Sequence, residues 1–275
     1  MNDKVAICCI GRKENLYIKE FVEHYKNIEV DKIFIYDNNF GDEERFEDVL
    51  QTYIDEGFVD IVNYRDKPLA QLSAYQNCYD LHSQEYDWLG FIDCDEFLFL
   101  NKHKTIKDFL SQKKFENFDM IHLNWMCYGD NELIEYDDRT LSERFKNPIE
   151  PLTLKKSYNF PENDHIKSIV RGGLCLMWKG TSHTPFPYRL KCCDCSGKER
   201  DGLSWHHPFD YSDAYIKHYV TKTLEEWYKN KAQRGHPIGD KDYFKHVGII
   251  DEFFKWNKKT KEKEDYIKKV INGKE

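Results

Sequence analysis

Asp93 and Asp95 stand two positions apart in the run Trp88-Leu89-Gly90-Phe91-Ile92-Asp93-Cys94-Asp95-Glu96, directly after a stretch of apolar residues. Carboxylates at that spacing reach one hard cation where the chain turns, and Mg2+ or Mn2+ takes such oxygen ligands. A cation held there would neutralise charge on a diphosphate, which is Lewis-acid chemistry. Asp-x-Asp pairs are common, so an acidic turn that binds nothing stands as the alternative. A second metal pattern is weaker. Lys191-Cys192-Cys193-Asp194-Cys195 offers three thiols, but no second Cys-x-x-Cys knuckle accompanies them. A zinc site completed by His206 or His207 is the alternative there, while Trp205-His206-His207-Pro208 equally reads as a loop lining an acceptor site.

The elements around the aspartate pair give it a setting. Residues 5–10 read as a buried strand, and Ile18, Phe21, Val22 and Tyr25 recur at helical spacing within 14–25. A strand at 32–36 ends in the turn-prone Asp37-Asn38-Asn39. A helix over 43–53, a strand over 59–64, a helix over 69–81 and a strand over 88–92 follow. That alternation predicts an α/β fold, a mainly parallel sheet flanked by helices, with ligands bound beyond the carboxyl ends of the strands. Asp37 and Asp93-Cys94-Asp95 both fall at such ends. Further on, a helix over 106–110 and a strand over 120–125 are expected, then loops and short strands to about residue 210. Residues 215–231 read as a helix.

Composition narrows the class. The 275 residues carry 41 basic and 49 acidic side chains, a formal charge of −8, which argues against nucleic acid as a partner. Aromatics are abundant, with 18 Tyr, 18 Phe and 6 Trp, serving as core filler or as platforms for bases and sugar rings. Trp125, Tyr128 and Trp205 are candidates for stacking on sugars. Nine cysteines and no export signal at the start predict reduced thiols and a cytoplasmic location. Lysines and aromatics interleave after residue 250. That tail reads as a helix packing on the domain, or as a basic amphipathic helix touching the inner face of a membrane.

Several colinear blocks carry a resemblance. Glu14-Asn15-Leu16-Tyr17-Ile18-Lys19-Glu20-Phe21-Val22-Glu23-His24-Tyr25 is followed by Val30-Asp31-Lys32-Ile33-Phe34-Ile35-Tyr36-Asp37-Asn38, then by Gln71-x-x-Ala74-Tyr75-x-Asn77-Cys78. The Asp93-Cys94-Asp95 block, Lys167-Ser168-Ile169-Val170-Arg171 and His218-Tyr219-Val220-Thr221-Lys222-Thr223-x-Glu225-Glu226 complete the set. Together they resemble the glycosyltransferase family 92-like group, within the wider family-2-like GT-A enzymes, over residues 5–235.

The resemblance implies a GT-A (Rossmann-like) domain over 1–235, with a nucleotide-binding half at 1–100 and an acceptor-side half at 101–235. A C-terminal helical extension occupies 236–275. It implies a nucleotide-sugar donor, usually a UDP-sugar, and Mn2+ or Mg2+. Ile10, Gly11 and Arg12 would line the nucleotide pocket, Asp37 would meet the base or ribose, and Gln71 and Asn77 would join the donor site. Asp93 and Asp95 would serve ribose and metal. His218 would be the third metal ligand, with His183 and His165 as rivals. Lys222, four residues on, would share the helical face of His218 and reach a phosphate. Asp130 is the candidate catalytic base, ahead of Glu132 and Glu135. Simpler roles stand beside these: Arg12 pairing with a surface acid, Asp37 capping a turn.

The function expected is hexose transfer from a nucleotide-sugar such as UDP-galactose to a glycan or lipid-linked acceptor. It would be metal-dependent and inverting, in surface polysaccharide biosynthesis. A metal-dependent phosphohydrolase or nucleotidyltransferase, or a non-catalytic nucleotide- or carbohydrate-binding module, are the alternatives.

Overall fold

Four short apolar strands set the architecture of the computed structural model, which describes residues 3–149, 162–186, 190–231 and 248–271. They are β1 (Val5–Gly11), β2 (Lys32–Asp37), β3 (Val59–Asn63) and β4 (Trp88–Phe91). Each is followed or preceded by a helix: α1 (Asn15–Asn27), α2 (Glu47–Asp55) and α3 (Gln71–His82). Helical crossovers bring successive strands side by side in parallel. Thus β2 pairs with both β1 and β3, and β1 also pairs with β4. The register sets Gly11 beside Asp37, and Asp37 beside Asn63. Three strand ends therefore form one edge, next to the turn that leaves β4.

Beyond that turn the pattern changes. β5 (Glu96–Leu100) leads into α4 (Ile106–Leu110) and β6 (Met120–Tyr128). After α5 (Leu141–Arg144) come β7 (Ile166–Arg171), β8 (Cys192–Asp194), β9 (Glu199–Arg200) and β10 (Ala214–Tyr219). The sheet runs β3-β2-β1-β4-β7-β6-β10-β5, with β8 also on β6 and β9 on β8. β7 is antiparallel to both β4 and β6, and β10 to β5. The fold is α/β as expected, but the sheet is mixed: parallel in its first half, largely antiparallel in its second.

The helix expected over 215–231 is corrected. β10 occupies its first part, and only α6 (Leu224–Glu226) and one π-helical turn at Trp227–Lys231 are helical. Tyr215, Ile216, Tyr219 and Val220 fit a helical stripe, but β10 is buried on both faces, so no alternation marked it as a strand. His218 and Lys222 consequently share no helical face. His218 lies in the strand, and Lys222 in the turn beyond it with φ 59°.

The chain forms two compact units, Met1–Met126 with Asn163–His218, and Cys127–Glu162 with Tyr219–Glu275. In the first, Cys8, Phe34, Tyr36, Tyr75, Phe91 and Trp178 are among the residues packed between the sheet and α3. Each large side chain so buried contributes about 2 kcal/mol. In the second, α7 (Ile249–Trp256) and α8 (Lys261–Tyr266) close over Leu224 and Trp227 through Phe253, Phe254 and Tyr266. The aromatics of the tail are thus used inside that unit. The boundary expected after residue 235 lies outside the described residues. Among the described residues, no helix is long and apolar enough to cross a membrane.

Gly11 shows how tightly the strand ends are packed. A Cβ there would lie 2.8 Å from a Phe46 ring carbon and 3.0 Å from the Cys94 sulfur, both buried. Gly11→Ala is expected to cost about 1–3 kcal/mol by overpacking, read as a lower thermal midpoint. An unchanged midpoint would mean the turn after β4 gives way more easily than its burial implies.

Candidate active site

The turn between β4 and β5 is closed from both sides. The Glu96 N–H donates to the Asp93 carbonyl at 3.0 Å, and the Asp93 N–H donates to the Glu96 carboxylate at 2.9 Å. Between the aspartates Cys94 points inward, its thiol on the Ile10 carbonyl at 3.6 Å. A buried middle residue pins the turn and leaves the two flanking carboxylates for other work.

Those carboxylates have different surroundings. Asp93 Oδ1 accepts from Gln71 Nε2 at 2.7 Å and from the Tyr75 hydroxyl at 2.6 Å. Its Oδ2 meets the ammonium of Lys167 at 2.7 Å, and Glu96 lies 3.4 Å from the same nitrogen. Lys167 is fully buried on β7. Burial works against its charge, but Asp93 and Glu96 outweigh that and hold its pKa above the ordinary lysine value. Burial pushes the Glu96 carboxyl well up, opposed by Lys167, and pushes the Tyr75 hydroxyl up with help from Asp93.

Asp95 faces elsewhere. β5 pairs with β10 so that Glu96 lies opposite His218. This register brings His218 Nε2 to 3.8 Å from Asp95 Oδ1, with both side chains over nine-tenths buried. The Trp125 ring packs 4.2 Å from His218, stacks on His165 at 5.2 Å and meets His183 edge-on at 5.0 Å. His183 Nδ1 lies 3.0 Å from the Ile166 carbonyl, and burial keeps this ring neutral by driving its pKa well down. Three buried polar atoms here, Gln71 Oε1, Glu96 Oε1 and Trp125 Nε1, have no hydrogen-bond partner among the described residues. Such atoms are unusual in a finished interior and suit a bound molecule.

A divalent cation can be tested against this donor set. Ligands about 2.1 Å from one ion lie about 3 Å apart when adjacent and about 4.2 Å apart when opposite. The Asp95–His218 separation falls between, and a carboxylate with an imidazole suits Mn2+. Among the described residues, no group of three His, Cys, Asp or Glu side chains is gathered to hold an ion alone. Asp95 and His218 would supply two ligands, and phosphate oxygens would supply more.

Other expected residues are placed as follows. Asp37 is buried and fully engaged: Arg65 donates to Oδ2 at 2.7 Å, and the Asn39 backbone and amide donate to Oδ1. Arg12 forks onto Glu43 and lies over the Phe40 ring, drawing the Glu43 carboxyl down to about 2. Ile10 contributes its carbonyl to the Cys94 thiol. Asn77 accepts from the Tyr36 hydroxyl at 2.9 Å, on the inner side of α3. The thiols of Cys192, Cys193 and Cys195 each contact a backbone carbonyl, and burial raises all three. His206 bonds His122 at 3.0 Å and His207 bonds Asp164 at 3.1 Å, so neither completes a zinc set. Trp205 is half exposed.

Asp130 belongs to the second unit. It is buried there against the ammonium of Lys263, and its Oδ1 accepts from the Glu132 N–H at 2.9 Å. Burial nevertheless raises its pKa, with Lys263 pulling the other way.

Lys167, Tyr75 and Glu96 lay in the quoted blocks without an assigned role. A lysine inside the apolar strand Ile166-Lys167-Ser168-Ile169-Val170 was the available clue, since a buried ammonium demands a carboxylate partner.

Comparison with known proteins gives the family. The family described as Glycosyltransferase family 92 matches residues 3–269. A glycosyltransferase family 92 protein of Ricinus communis is 27% identical over 181 residues, 61% of this chain and 32% of its own length. One of Oryza sativa subsp. japonica is 30% identical over 107 residues, 38% of this chain and 18% of its own. The chain thus spans about a third or less of the relatives it matches. The crystal structure of S. aureus TarS overlaps 49% of this chain and 23% of that one at 13% identity and TM-score 0.33. A mannosyltransferase from Pyrobaculum calidifontis, solved with GDP-Man and Mn2+, overlaps 48% of this chain and 37% of that one at 8% identity and TM-score 0.33. Overlaps of that size decide nothing about this chain.

Removing the buried ammonium tests the site's foundation. Lys167→Met strands two carboxylates and is expected to cost about 3–5 kcal/mol, part of it restored by adding Glu96→Gln. Since the folded-state pKa is raised, this stabilisation is fully present below pH 10.5 and lost as pH climbs through the raised value. Denaturant midpoints at pH 8 and above 10.5 read both effects; equal midpoints for wild type and Lys167→Met at pH 8 would contradict them.

Proposed function

We propose, from the premise that this chain belongs to glycosyltransferase family 92, that it transfers a hexose from a nucleotide-sugar to a hydroxyl of a glycan or lipid-linked acceptor. The observation that carries this reading is the convergence of Asp95 and His218, 3.8 Å apart at the carboxyl end of the sheet. Mn2+ or Mg2+ bound between them would neutralise the charge that develops on the departing diphosphate. Asp93, fixed by Gln71, Tyr75 and Lys167, is assigned to a hydroxyl of the donor's ribose or sugar. Its orientation is set before the donor arrives, so little ordering remains to be done on binding.

In the transfer, the acceptor oxygen forms a bond to the anomeric carbon as the bond from that carbon to the diphosphate oxygen breaks. The hydroxyl proton passes to a carboxylate base and the nucleoside diphosphate leaves. A single displacement of this kind inverts the anomeric centre. UDP is the nucleotide we assign, with UDP-galactose among the donors, and surface polysaccharide assembly at the cytoplasmic side of a membrane as the setting. Ile10, Arg12 and Asp37 shape the loop at the nucleotide end, where Arg12 and Asp37 act through Glu43 and Arg65.

Calorimetric titration with UDP tests the reading. Wild type is expected to bind UDP at least tenfold more tightly with Mn2+ than without. Asp95→Ala and His218→Ala should each abolish that difference, a change of about 1.4 kcal/mol or more. A donor-hydrolysis screen over UDP-, GDP- and CMP-sugars then identifies the donor. UDP affinity indifferent to Mn2+ in wild type would remove the proposal's basis.

A further inference from the structure

The second unit contains a cleft of about 580 Å3, lined by Asp130, Asn131, Asn147, Trp256 and Asn257 among others. Its size lies within the range of ligand pockets, about 300–1,000 Å3. An ion pair and hydrogen bonds tie the lining to the rest of the unit. Asp130 pairs with the buried Lys263, and its N–H donates to Asn257 Oδ1 at 2.7 Å. Asn257 in turn donates to the Thr221 hydroxyl at 3.1 Å and the Phe253 carbonyl at 3.0 Å.

One wall is a backbone held in an uncommon shape. Asn131 and Glu132 both adopt left-handed φ, 47° and 68°. Two reciprocal bonds brace them: Asn131 Nδ2 donates to the Asn147 carbonyl at 3.0 Å, and the Asn147 N–H donates to Asn131 Oδ1 at 2.8 Å. Consecutive non-glycine residues in that region cost about 1–3 kcal/mol each and persist where the surroundings require them. Gly129 allows the close fit, since a Cβ there would lie 2.5 Å from Asn257 Oδ1.

The charges on the lining cancel. Asp130 faces Lys263, Glu132 faces Lys258 at 3.5 Å, and Lys255 faces Glu252. Among the described lining residues, two lysines balance two carboxylates, which leaves no surplus cation to attract a phosphate and no surplus carboxylate to attract a metal. What remains is an aromatic residue, Trp256, an apolar side formed by Pro148 and Ile149, and the exposed amide of Asn147. Apolar ring faces against an indole, with hydroxyls turned to amides and carboxylates, is the chemistry of a neutral saccharide.

We infer that this cleft binds a neutral sugar residue of the acceptor glycan, with Trp256 as its platform and Asn147 as a hydrogen-bond partner. The acceptor assignment rests on the transferase reading; the sugar binding itself does not.

Saturation-transfer NMR on the whole chain provides the test. The probes are methyl glycosides of galactose, glucose, mannose, N-acetylglucosamine and fucose, with inorganic phosphate as the charged control. At least one glycoside is expected to receive saturation. Its affinity should fall tenfold or more in Trp256→Ala and measurably in Asn147→Ala, and stay within twofold in Asp95→Ala. Asn147 is exposed, so its variant serves if Trp256→Ala does not fold. Titration of the same samples with UDP and Mn2+ reports separately on the transferase reading. No transfer to any glycoside, or transfer that survives in Asn147→Ala and any folded Trp256→Ala, overturns the inference. So does loss confined to Asp95→Ala, or displacement by phosphate.

Discussion

A single buried ammonium organises the first unit. Lys167 has no exposed surface, and a lysine in that position is tolerable only with negative charge beside it. Asp93 and Glu96 provide that charge from either end of one turn. The turn closes on itself through two hydrogen bonds, one of them to the Glu96 carboxylate, so moving that carboxylate would open the turn and take a partner from the lysine. Buried pairs of this type are weak sources of net stability but severe when broken. The consequence is geometric: β4, β5 and β7 are locked together at the sheet's carboxyl end.

That lock divides labour between two aspartates that the sequence presents as equivalent. Asp93 is held by Gln71, Tyr75 and Lys167 while its side chain stays 29% exposed. Asp95, the residue before β5, comes within 3.8 Å of His218 because the antiparallel register sets Glu96 opposite His218. Trp125, with His165 and His183 around it, packs against the His218 ring. A ligand nitrogen held by packing loses little freedom when it coordinates, which favours a preformed site over one assembled on binding.

Much of this was legible beforehand, for identifiable reasons. The first four strands and three helices follow hydrophobic periodicity, and the aspartate pair falls at a strand end where α/β sheets bind ligands. β10 was not legible as a strand. Both its faces are buried, so polar and apolar residues do not alternate, and its aromatics also fit a helical stripe. His218 therefore lies near Asp95 as a strand residue, not on the helix that the sequence predicts there. Asp37 and Arg12 are placed where expected but are occupied by Arg65, Asn39 and Glu43, contacts between loops that no local pattern encodes. Lys167 was overlooked because a lysine in a short strand usually points to solvent. Three of the tail's aromatics, Phe253, Phe254 and Tyr266, pack on Leu224 and Trp227.

The central claim is that the cation falls to Asp95 and His218 because Lys167 already holds Asp93. Pulsed electron paramagnetic resonance on Mn2+ bound with UDP measures this at the metal. The account predicts modulation from one directly coordinated imidazole nitrogen in wild type, absent in His218→Ala. A wild-type complex with bound Mn2+ and UDP but no nitrogen modulation would contradict it.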